Sequence, residues 1–171
     1  MSKSLVLMRD VICLYHPKFR KSKDLRAYGM EHPDIFNVER LVEESLATLG
    51  PYKFIDGDHA DFSDGTDSKT ASIRFNPVRP GLNSHAGEIS AVSTAGGGHK
   101  LGALRCTIYN PHKDNLKFYF LPKSMWRHNI TIHPSSGIGK IMYTYNRAGD
   151  YISKFEGFEC SSFKELARAT G

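Results

Sequence analysis

D-F-S-D-G-T-D-S-K runs from Asp61 to Lys69, three carboxylates and one lysine in nine residues. Asp64-Gly65 is a strong hairpin signal, because glycine takes up the left-handed backbone that a tight reversal needs. With Ser63-Asp64-Gly65 as a three-residue loop, Asp61 and Asp67 fall opposite each other, with Cβ atoms ~5 Å apart. Lys69, two residues beyond Asp67, then points to the same face. A two-residue loop changes the faces and brings Asp58 beside Asp67 and Lys69 instead. Both registers are open on sequence alone.

The flanks extend this reading. Y-K-F-I-D from Tyr52 reads as a short strand, and Asp67 to Phe75 as the strand that returns. Upstream, N-V-E-R-L-V-E-E-S-L-A-T-L-G is a helix: Asn37 can cap it, Val38, Leu41, Val42, Leu46 and Leu49 form one apolar stripe, and Gly50-Pro51 ends it. Residues 4–15 fit a helix or a strand. Downstream, residues 76–87 read as a loop, followed by the strand E-I-S-A-V-S. L-G-A-L-R-C-T-I-Y-N and L-K-F-Y-F-L-P flank the turn P-H-K-D-N as a second hairpin. I-M-Y-T-Y-N-R-A-G-D-Y-I-S-K-F reads as a third. S-S-F-K-E-L-A-R-A closes as a short helix capped by Ser161 or Ser162, with Glu165 in a capping box. The expected class is α+β, a mixed or antiparallel central sheet with flanking helices. No repeat or linker divides the chain, so residues 1–171 are expected to form a single domain.

Composition agrees with a globular protein. Of the 171 residues, 40% are hydrophobic and 24% charged, which argues against wholesale disorder. No apolar run approaches the ~20 residues that span a bilayer. Arg9 and Asp10 interrupt the first apolar stretch too early for a signal peptide, so a cytoplasmic, membrane-free protein is expected. Cys13, Cys106 and Cys160 are far apart and odd in number, which points to free buried thiols. Net charge is +5. From Lys69 to Asp150 there are eleven Lys and Arg against three acids, a net +8. Five of the 18 acidic residues cluster between Asp56 and Asp67, beside this basic half. Basic charge of this density attracts a polyanion.

Two opposed carboxylates suit a hard divalent cation, which takes oxygen ligands, and a lysine beside them can stabilise developing negative charge. Rival chemistries fit less well. A calcium loop counted from Asp56 puts Ala60 at a ligand position and Asp61 at the glycine position. The histidines, among them His112, His128 and His133, lack zinc-ligand spacing. An acidic surface turn with no metal is the plain structural alternative.

Asp61, a five-residue gap, then D-S-K on a hairpin, with a glutamate-bearing helix before it and a basic sheet after it, resembles the PD-(D/E)xK nucleases. The likeness is greatest to small type II restriction endonucleases and covers roughly residues 37–121. The pattern maps onto Asp61, Asp67 and Lys69; Ala60 stands where Pro is usual, and Asp67 where Glu is commoner. The resemblance implies a restriction-endonuclease-like core. It also implies Mg²⁺-dependent (or Mn²⁺-dependent) hydrolysis of double-stranded DNA at specific sequences by a homodimer. A helix carboxylate often joins such sites, which makes Glu43 or Glu44 the candidate, with Glu39 less favoured. Residues 1–35 are a candidate dimer contact or DNA clamp. A homing or repair endonuclease would share the site, and a non-catalytic nucleic-acid-binding protein would not need it.

Candidate DNA contacts lie in the basic half. Arg74 and Arg79 follow the motif. Asn83 and His85 follow R-P-G-L, and Asn and Arg can each make two hydrogen bonds to one base edge. His99 and Lys100 end the tract G-G-G-H-K, where glycine permits close backbone approach to phosphate. Arg127 and Asn129 lie in W-R-H-N.

Overall fold

In the computed structural model the residues described are 3–19, 38–55, 60–72, 74–75, 85–92, 101–110, 113–136, 138–146, 151–152 and 154–171. Their architecture is α+β, with two sheets stacked face to face and a layer of helices on the outer face of one of them.

The first sheet holds β1 (Asp67–Ser72), β4 (Leu104–Asn110), β5 (Asn115–Leu121) and β9 (Glu159–Cys160), in the order β1-β4-β5-β9. β1 runs parallel to β4, and the other pairs are antiparallel. The second sheet is antiparallel: β2 (Arg74–Phe75), β3 (His85–Val92), β7 (Gly139–Asn146) and β6 (Ile130–Ile132), in the order β2-β3-β7-β6, with β8 (Tyr151–Ile152) pairing β7.

Alternation along β4 explains the layering. Leu104, Cys106 and Ile108 pack against Ile89, Ile141 and Tyr143 of the second sheet. Arg105 turns to the other side, against the helical layer of α1 (Lys3–Tyr15), α2 (Val38–Leu49) and α4 (Phe163–Arg168), whereas the short α3 (Lys123–Trp126) packs Trp126 into the core between the sheets. There Ile12, Val42, Leu46, Phe163 and Leu166 form a second core. Covered on both faces, β4 is buried at all seven positions. No helix among the described residues is long and apolar enough to cross a membrane.

Local chemistry sets the helix ends as the sequence suggests. Gly50 N–H reaches Leu46 O as α2 ends. Ser162 Oγ accepts the Glu165 amide, and the Glu165 carboxylate reaches back to Ser161. The capping box therefore straddles both serines. The hairpins β4–β5 and β7–β8 form in the expected places. Cys13, Cys106 and Cys160 form no disulfide, and the last two are buried.

Two expectations need correction. The strand read from Asp67 to Phe75 is two strands in different sheets, β1 and β2. β1 does not form a ladder with the Tyr52 segment; that segment meets residues 61–63 through one bridge, Phe54 to Phe62, and β1 takes β4 as its partner. Within residues 1–35, the candidate dimer contact or DNA clamp, α1 buries Ile12 in the helical core. His16 Nε2 lies 2.7 Å from Glu44 Oε2 on α2. Residues 20–35 lie outside the described residues.

Candidate active site

The reversal between Phe62 and Thr66 is a three-residue loop. Gly65 N–H donates to Phe62 O, Phe62 N–H donates to Thr66 O, and Gly65 has φ 83°. This is a tight turn closed by a left-handed residue, the conformation for which glycine is the default. Asp64 Oδ1 locks the turn from within by accepting both the amide and the hydroxyl of Thr66.

One step beyond the closing pair stand Asp61 and Asp67, each bound to the backbone across the turn. Asp61 N–H donates to Asp67 Oδ1 at 3.1 Å, and Ser68 N–H donates to Asp61 Oδ2 at 2.9 Å. Lys69 Nζ lies 3.0 Å from Asp67 Oδ2. Register fixes the faces. Asp67 pairs Leu104 and Lys69 pairs Cys106, so both look toward the second sheet, while Ser68 pairs Arg105 and looks toward the helices.

Two carboxyls this close, with one ammonium against Asp67, are short of positive charge. The Asp61 carboxyl is pushed up to about 7. Burial is the main cause, followed by its hydrogen bond to Asp67 and the Asp67 charge; the Ser68 amide and Lys69 pull it back. The pair therefore calls for a proton or a cation. Among the described residues no group of three or more His, Cys, Asp or Glu side chains is arranged to hold a metal ion. The available donors are these two carboxylates, within the one or two that Mg²⁺ commonly takes from a protein. Asp61 and Asp67 thus fit that ion.

The helix acids divide. Glu39 Oε1 accepts the Thr70 hydroxyl of β1 at 2.8 Å. Glu43 follows one turn later and is half-buried. Glu44 is committed elsewhere, to His16 and Arg40. Glu39, the less favoured of the three, is thus the one hydrogen-bonded to the motif strand.

The expected DNA contacts are partly in view. Arg74 and His85 lie in β2 and β3, so His85 belongs to a strand and not to the loop before it. Arg127 is exposed, with Nε 3.3 Å from His128 Nε2. Asn129 spends its amide on Met125 O. Asp58, Arg79, Asn83, His99 and Lys100 lie outside the described residues.

Arg105 was legible only as one of the eleven basic residues. It is buried, and its charge is held by Asp64 at 3.0 Å, so it offers nothing to a polyanion outside. The signal was its place in L-R-C-T-I-Y, where a cation interrupts a strand covered on both faces. A buried guanidinium needs a partner acid.

No known family model matches the chain, and no curated protein matches it.

Proposed function

We propose that the chain is a Mg²⁺-dependent endonuclease of the PD-(D/E)xK type, with a restriction-endonuclease-like core, that hydrolyses double-stranded DNA at specific sequences. One observation carries the reading: a three-residue turn sets Asp61 and Asp67 against each other, with Lys69 held 3.0 Å from Asp67 on the same strand face.

In this reading Asp61 and Asp67 hold the ion, with Mn²⁺ able to replace it. A bound Mg²⁺ supplies Lewis acidity toward a phosphoryl oxygen. Lys69 offsets charge that develops on the phosphate, and Asp67 aims the ammonium. The basic half of the chain gathers the polyanion. Cutting both strands calls for two such sites, hence a homodimer. Glu43 is the helix carboxylate proposed to assist; Glu39 bonds Thr70, which faces the helices, away from Asp67 and Lys69.

A second reading also has an observation behind it. The two carboxylates satisfy amides across the turn, which is what structural caps of a reversal do. A nucleic-acid-binding protein without catalysis would need no more.

Mixed plasmid and phage DNA, incubated with Mg²⁺ or with chelator, separates them. Discrete fragments that require Mg²⁺ and disappear with Lys69→Ala are expected. A smear with the same dependence would remove the sequence specificity. Intact DNA in every lane, with binding unchanged by chelator, would leave the binding protein.

A further inference from the structure

We propose that Arg105 is the positioning residue for the Asp61–Asp67 pair, acting through the turn between them. The inference rests on reading that pair as the reactive site. Its test does not depend on cleavage.

The Arg105 side chain is 1% exposed and held on every side. Its guanidinium carbon sits 4.3 Å from the Tyr52 ring centre and 5.0 Å from that of Phe120. Nε donates to Thr66 Oγ1 at 3.1 Å and Nη2 to Asp64 Oδ2 at 3.0 Å. Nη1 donates to the carbonyls of Leu166 and Ala169, at 2.6 and 3.0 Å. One planar group thus ties the end of α4 to the turn.

Its two turn partners are the residues that decide where the carboxylates point. Thr66 immediately precedes Asp67. Asp64 stands at the middle of the three-residue loop and holds Thr66 through Oδ1 while giving Oδ2 to Arg105. The turn is therefore braced from inside by Asp64 and from the protein interior by Arg105. Carboxylates that share one cation tolerate little displacement, so a rigid brace behind them bears directly on their chemistry. Lysine cannot replace this brace, because a single ammonium lacks the fork that reaches both the turn and α4.

The bland alternative is that Arg105 only anchors α4. Tyr52 offers the control, because its hydroxyl also holds α4, donating to Ala167 O at 2.8 Å, without a hydrogen bond to the turn.

The experiment is amide hydrogen exchange by NMR at Asp61 and Ser68, whose N–H groups donate to the two carboxylates, with Mn²⁺ binding followed in parallel. It compares the native chain with Arg105→Lys, Thr66→Val and Tyr52→Phe. All three variants conserve charge, so a change at the pair reports geometry. Thr66→Val keeps Arg105 and the core volume, which guards against a variant that fails to fold. In Arg105→Lys and Thr66→Val exchange at these two amides, relative to the amides of β5, is expected to quicken ~10-fold or more as the pair separates. Mn²⁺ binding is expected to weaken ~10-fold or more in both. Tyr52→Phe should lower the melting temperature and leave both readouts as they were. Native-like exchange and Mn²⁺ binding in folded Arg105→Lys and Thr66→Val would overturn the proposal. A chain that cuts no DNA yet shows the expected loss of protection would uphold the positioning and refute only the nuclease reading.

Discussion

Lys69 Nζ stands 3.0 Å from Asp67 Oδ2, and the two side chains are only 17% and 9% exposed. An ion pair so poorly reached by solvent is weakly screened, and removing one partner strands the other. Lys69→Met should therefore push the Asp61 carboxyl above its native value of about 7, because Lys69 now pulls it down. On the nuclease reading the same change should lower the rate of DNA cleavage by at least ~10²-fold. Carboxyl titration by NMR and a timed plasmid assay check the two halves separately.

Asp61 gives the protein a pH dependence of unusual sign for a carboxylate. Its folded value, about 7, lies above the ordinary 3.8, so the folded state holds more protons than the unfolded one between those limits. Stability from this group is full below about 4 and lost as pH rises through 7. Urea midpoints should fall across that window, and Asp61→Asn should flatten the fall. Added Mg²⁺ should restore stability above pH 7, where it meets no competing proton.

Gly65 holds φ 83°, a backbone conformation that a side chain resists. Gly65→Ala should cost about 1 kcal/mol or more. Thermal melts would show the loss. Cleavage should fall by more than the unfolded fraction accounts for, because the turn sets the spacing of Asp61 and Asp67.

His16 joins α1 to α2. It accepts the Lys18 amide at Nδ1 and meets Glu44 through Nε2 at 2.7 Å, fully buried. His16→Ala leaves both partners without it and should cost about 1–3 kcal/mol. DNA cleavage by the folded fraction should be unchanged. Urea unfolding with a native slope, beside the plasmid assay, measures both.

The readable parts of the chain were local. Ser63-Asp64-Gly65 announced its turn type because glycine's left-handed preference acts within three residues, and the opposition of Asp61 and Asp67 follows from counting outward. The stripe of α2 and the Ser162–Glu165 cap are equally short-range. The partner of β1 was not legible. A parallel neighbour 37 positions away, Leu104 beside Asp67, leaves no mark in the residues between them. Nothing in T-A-S-I-R-F shows that the chain changes sheets after Ser72. The role of Arg105 was hidden for a related reason: its charge was countable, but its acid, Asp64, is a neighbour only once β1 and β4 are paired.

That parallel pairing also dictates an order of assembly. A three-residue turn closes in microseconds and needs no distant chain. β1 can dock only after the intervening segment has crossed through the other sheet, and the entropy of closing that large loop must be met first. During refolding the two aspartates should therefore meet as a mobile local hairpin, well before Lys69 is fixed on a paired strand. The acids assemble early and the base late, so the last event to complete the site is the docking of an edge strand.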